Sequence, residues 1–192
     1  MLNTRNIPVH CVKIIALAFL FICSSSNSNA QLFRTFYTSL KVLRTPLSLS
    51  LDDPQKITYL TVDTALANHF KPKFSDIVGR IFPDRDFVSI IYLLPSDVGT
   101  FIIETRTFDG NPIDTLDISG NWIVDAGIES SYGTIINTDG IITINDTLRS
   151  VALDKHDNPI PGTDSTRVHI KKYRLEQSGS FTIIHDSTFY KK

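Results

Sequence analysis

The sequence predicts an all-β protein, mainly an antiparallel meander, folded as a sandwich or an up-and-down barrel with one short helix near residues 61–70. Three observations carry that expectation. Seventeen of the twenty acids are aspartates, the exceptions being Glu104, Glu129 and Glu176. Aspartate bonds its own nearby backbone and so favours turns, whereas Glu supports helix. After Ala30 the alanines are only Ala65, Ala67, Ala126 and Ala152, while β-branched Ile and Thr are abundant and pack well on a pleated surface. Apolar runs recur between turn signals at a spacing of about 8 to 12 residues, the rhythm of short strands joined in antiparallel order.

Along the chain, Leu32 to Tyr37 reads as an initial strand, and Thr45 to Leu51 alternates apolar and polar before stopping at Asp52-Asp53-Pro54. Residues 31–56 otherwise form a poorly defined N-terminal extension ahead of a single β-rich domain over 57–192. Thr61 to Phe70 holds two of the scarce alanines and reads as a helix, capped by Asp63 and closed before Pro72. Ile77 to Phe82 is a strand. Phe87 to Leu94 is apolar on both alternating faces and predicts a central strand covered on both sides. Thr100 to Phe108 and Ile113 to Ile118 follow across Asp109-Gly110-Asn111-Pro112, then Gly-bounded pieces at Trp122 to Val124 and at Ile128. Thr134 to Asn137 and Ile141 to Ile144 flank Asp139-Gly140, a tight-hairpin signal. Leu148 to Leu153, Arg167 to Glu176, Phe181 to His185 and Ser187 to Tyr190 complete the strands. Gly140-Ile141-Ile142-Thr143-Ile144 echoes Gly179-Ser180-Phe181-Thr182-Ile183, one hairpin solution used twice.

The first thirty residues read differently. Arg5 and Lys13 precede the unbroken apolar run Ile14 to Cys23, and Ser28-Asn29-Ala30 places small residues before Gln31. This is the pattern of a secretory signal, with cleavage between Ala30 and Gln31. The run is shorter than the roughly 20 residues a spanning helix needs. The alternative is lipidation of Cys23, for which Ile22 is a poor preceding residue. Cys11 and Cys23 are the only cysteines, so a chain cut after Ala30 has neither disulfides nor thiolate ligands and holds together by core burial.

Composition excludes a basic nucleic-acid binder: residues 31–192 carry 17 basic side chains against 20 acidic. No nucleophile elbow is present. Of His69, His156, His169 and His185, only His169 and His185 could meet, if their strands pair, and a zinc site needs more ligands than that. Glu104 is the best candidate for a buried carboxyl, with a cross-strand ion pair as its ordinary explanation. Asp154, Asp157, Asn158 and Asp164, and separately Asp109, Asn111 and Asp114, are oxygen-rich loops that lack the EF-hand pattern and are explained by Asx turns. Trp122 is a core anchor more often than a stacking platform. Asn145-Asp146-Thr147 fits a glycosylation sequon.

The signal, the Ser/Asn spacer and hairpins such as Glu104 to Asp117 resemble uncharacterised secreted β-hairpin-rich proteins of Gram-negative bacteria. The resemblance is one of style, implies export and a β fold, and brings no functional residues. The sequence-level expectation is therefore an exported or cell-envelope β module with a binding or structural role and no catalytic, cofactor or metal residues. Its partner is expected to be a protein or envelope component, with a membrane involved only through a lipidated Cys23. The alternative expectation is a carrier of a small apolar ligand in a lipocalin-like barrel.

Overall fold

The computed structural model describes residues 28–50, 64–95, 99–120 and 125–191. Cys23 with most of the signal, Asp63, the Ser96-Asp97 turn and Trp122 lie outside them. Two helices, α1 (28–39) and α2 (Thr64–Phe70), accompany nine strands. These are β1 (Leu47–Leu49), β2 (Asp76–Ile81), β3 (Val88–Leu94), β4 (Thr100–Arg106) and β5 (Pro112–Asp117), then β6 (Ile128–Ile136), β7 (Ile141–Ser150), β8 (Ser165–Leu175) and β9 (Phe181–Lys191). They form a four-stranded meander, β2-β3-β4-β5, and a five-stranded sheet ordered β1-β6-β7-β8-β9. Every pairing within both sheets is antiparallel. The sheets do not close into a barrel, so the architecture is the sandwich.

Fourteen buried side chains fill the space between the sheets, among them Phe87, Ile91, Phe101 and Ile103 from one and Ile136, Ile142, Ile144 and Leu175 from the other. A second cluster lies on the opposite face of the four-stranded sheet, where Phe33, Phe36, Tyr37 and Leu40 of α1 and the adjoining turn, with Ala67 of α2, cover Val88, Ile90, Tyr92 and Ile102. Phe70 joins them, its ring 5.2 Å from Phe33 and 5.4 Å from Phe36. The expected double coverage of β3 is thus observed, with Ile91 on one face and Ile90 and Tyr92 on the other, all fully buried.

Four sequence expectations are corrected. Ile128 and Thr134 belong to one strand, β6, and not to separate pieces. Leu32 to Tyr37 is helix, not strand. Positions 33, 36, 37 and 40 follow the i, i+3, i+4, i+7 spacing of one helical face, and burying that face outweighs the β-propensity of the aromatics. Leu148 to Ser150 ends β7 instead of opening a new strand. Phe181 to Tyr190 is one strand, interrupted by a bulge where the register shifts between Lys172 and Tyr173 of its partner.

One turn recurs four times among the described residues. Residue i donates its N–H to the carbonyl of i+4, and residue i+3 donates to the carbonyl of i, at Thr107–Asn111, Asn137–Ile141, Asp154–Asn158 and Glu176–Ser180. The fourth position has positive φ each time: Gly110 (89°), Gly140 (85°), Asp157 (60°) and Gly179 (89°). Glycine takes that conformation without a Cβ penalty, and Asp is one of the few side chains that tolerates it.

Candidate interaction surface

The four edges of the two sheets are built differently. Residues 41–43 cover β2: the N–H of Arg80 donates to the Lys41 carbonyl at 2.9 Å, and Leu43 donates to the Arg80 carbonyl at 2.8 Å. β1 is three residues long, and β5 opens with Pro112 and bears Asp114 and Asp117. Shortness, proline and charge are the usual means of blunting an edge. β9 has eleven residues, about 37 Å at the ordinary antiparallel rise, no proline and, among the described residues, no strand paired on its outer side. It displays Ile183, Phe189 and Tyr190 at 56, 51 and 77% exposure, with Ile184 beside them.

Among the described residues only the start of this edge is occupied. The N–H of Phe181 points away from β8 and donates to Asp114 Oδ2 of β5 at 2.8 Å. By strand alternation the N–H of Ile183 points the same way. The hairpin is also the basic part of the chain: residues 165–192 hold six Lys or Arg against two acids, whereas 31–164 hold eleven against eighteen.

His169 sits on the sandwich-facing side of this hairpin between two carboxylates, with Nε2 2.6 Å from Asp186 Oδ1 and Nδ1 3.8 Å from Asp146 Oδ2. The His169 hydrogen bond is the main reason the Asp186 carboxyl lies below the usual carboxylate range, with His169, Lys171 and His185 charge adding to it. His185 does not join this cluster. It pairs with Lys172 while His169 pairs with Thr188, and that register puts the two histidines on opposite faces. Among the described residues no group of three or more His, Cys, Asp or Glu could hold a metal ion.

Sequence reasoning missed the His169, Asp186 and Asp146 cluster, and it also missed His185 Nε2 and Ser187 Oγ at 2.8 Å. Alternate strand positions share a face, which was the available signal. A serine is activated by a base that a third group orients, in a site that excludes water. This exposed pair on an edge strand has the geometry of a local hydrogen bond.

Glu104 is buried and ion-paired, but along its own strand and not across to the next: Arg106 Nη2 lies 2.7 Å from Glu104 Oε1. Arg106 also donates to the Gly110 carbonyl and lies over the Phe33 ring. Burial, reinforced by the Glu104 carboxylate, pushes the Tyr92 phenol far above its ordinary pKa. The first oxygen-rich loop behaves as an Asx turn: Asp154 Oδ1 accepts the N–H groups of His156 and Asn158. The second group serves separate partners, Asp109 pairing with Arg34 and Asp114, on β5, accepting the N–H groups of Thr115 and Phe181. Beyond Asp154 a cleft of about 470 Å³ opens between the ends of β6 and β7 and the following loop, floored by Ile128, Val151 and Ile160 beneath the Arg149–Asp164 ion pair. Asn145 lies mid-strand in β7, between Gly133 and Ile170, unlike the surface loop a glycosylation site prefers. Ala30 and Gln31 stand in the first turn of α1.

No described helix is long and apolar enough to cross a membrane. No family model matches the chain, and it finds no match among curated proteins or among solved structures.

Proposed function

We propose that this chain is an exported, non-enzymatic interaction module that engages a protein or envelope partner through the free edge of β9. One observation carries the reading: among the described residues a long strand lies open on one side, with exposed Ile183, Ile184, Phe189 and Tyr190 along it. Unpaired edge N–H and C=O groups template a further strand, main-chain bonds giving affinity and alternate side chains giving selectivity. Export rests on the Arg5-to-Ala30 pattern, and Cys23 is the anchoring point if the chain is lipidated. The module is preferred over an apolar-ligand carrier because the intersheet space is taken up by packed side chains.

A photo-reactive amino acid placed at Tyr190 in the native host tests this. A covalent adduct should form, and Ile183→Pro, which removes one outward N–H and leaves the β8 ladder intact, should abolish it. Absence of any adduct from Tyr190 sinks the reading.

A further inference from the structure

We infer that the outer face of the five-stranded sheet binds an acidic polysaccharide laid across β6 to β9, at a site separate from the open edge. Its side chains alternate with those packed inside the sandwich, and among the described residues none of them is buried. Charge is sorted between the two sides of these strands. Of the three acids in β6 to β9, Asp146 and Asp186 lie on the sandwich-facing side, and only Glu129 is outside. Arg149, Lys172, Arg174 and Lys191 are all outside. Glu129 stands opposite Arg149, which also bonds Asp164, so the other three cations have no acid beside them on this face. A surface of one sign attracts a partner of the other, in proportion to how little salt screens it.

The spacing of the cations selects a polymer. Lys191 shares a row with Thr166, six positions along β8 from Lys172 and eight from Arg174, or about 20 and 27 Å at the antiparallel rise. A compact ion cannot span that distance, whereas an extended chain bearing acids at intervals does. Between the cations the face is neutral, and Ser131, Thr143, Asn145, Thr147 and Ser187 present hydroxyl and amide groups on it. Such groups both donate and accept, as sugar hydroxyls require. Phe189, half exposed beside Val168, offers the negative face of its ring to sugar C–H groups. A duplex nucleic acid or a lipid headgroup layer calls for cations through that neutral middle. Gly133 opens the centre of the face. It lies opposite Asn145 in the interior of β6, and a Cβ there would meet nothing within 4 Å. Its φ is not in the left-handed range, so the backbone does not require glycine. A glycine in a strand interior costs stability and marks a point of close approach by a ligand.

Isothermal titration calorimetry of the chain purified from its host, with polygalacturonate and with dextran sulfate, tests this and separates carboxylate from sulfate as the acid. At least one of the two should bind saturably, and neutral dextran should not bind. Gly133→Val fills the depression with a side chain that strands favour, adds no charge, and should weaken binding about tenfold with unchanged circular dichroism. Joint replacement by Lys172→Glu and Arg174→Glu should weaken it by at least as much. Failure of both acidic polymers to bind overturns the inference. So does binding that Gly133→Val leaves intact, which is the mark of a contact made by charge alone. Equal binding of single-stranded DNA or of phosphatidylglycerol vesicles overturns it as well.

Discussion

The two sheets of this sandwich end in opposite ways. The four-stranded sheet is short-stranded and covered on both faces, by the helices and by the other sheet. Its β2 edge is sealed by residues 41–43, and its β5 edge is shortened by Pro112. In the five-stranded sheet β6 to β9 run 9 to 11 residues against 6 or 7. Its last strands overhang, with an inner face carrying His169, Lys171 and Asp186 in place of the isoleucines nearer the core. Burial decides stability in the first region, and little stability depends on side chains in the second. An edge left open at modest structural cost is free to be used for association.

The largest expected effect separates the two directly. Ile91→Ala, at the centre of the doubly covered sheet, should cost about 3–4 kcal/mol in denaturant unfolding, since transfer and cavity losses add. Phe189→Ala on β9, measured on dilute protein, should stay within about 0.5 kcal/mol. Equal costs would erase the distinction. Next comes the buried ion pair: Glu104→Ala leaves the Arg106 charge uncompensated beneath α1 and should cost about 3 kcal/mol. Replacing both residues with Leu should recover most of that loss, because the pair is flanked by apolar residues.

Much of the covered sheet was legible in the sequence. The run Phe87 to Leu94, apolar on both alternating faces, predicted burial on both sides, and Asp109-Gly110 marked the turn between β4 and β5. What escaped was set by tertiary context. The aromatics of α1 have strand propensity and helical spacing, and only the apolar face of β3 against which they pack decides between the two. The His185-Asp186 step broke the apolar pattern of β9 and read as a strand end, because a bulge flips the alternation without ending the pairing. The candidate surface was the least legible part. Exposed Ile183 and Phe189 look like ordinary strand residues, and nothing in their sequence says that β9 is last in the sheet order.

Smaller effects sharpen the hairpin side. Gly179→Ala places a methyl 3.0 Å from Ile113 Cδ1 at a φ of 89°, and should lower stability by about 2 kcal/mol. At the equivalent position of the third turn the change runs the other way. Asp157→Gly should gain up to about 0.5 kcal/mol by relieving a left-handed side chain. Smallest is a pH effect. The Asp186 carboxyl is depressed in the folded chain by its bond to His169. Its contribution is therefore present above the unfolded carboxylate pKa, about 3.9, and is lost as pH falls through the lower folded value. Asp186→Asn should flatten that acid limb of the stability profile and leave the alkaline limb unchanged.

The most direct test of the open edge is residue-resolved amide hydrogen exchange of the full chain, followed at the Ile183 N–H with and without the host envelope fraction. If β9 is completed by another strand, this amide is protected in the presence of the host envelope fraction, exchanges freely without it, and loses that protection in Phe189→Lys. Free exchange of Ile183 in the presence of the host envelope fraction, beside protected amides of β8, would contradict the account.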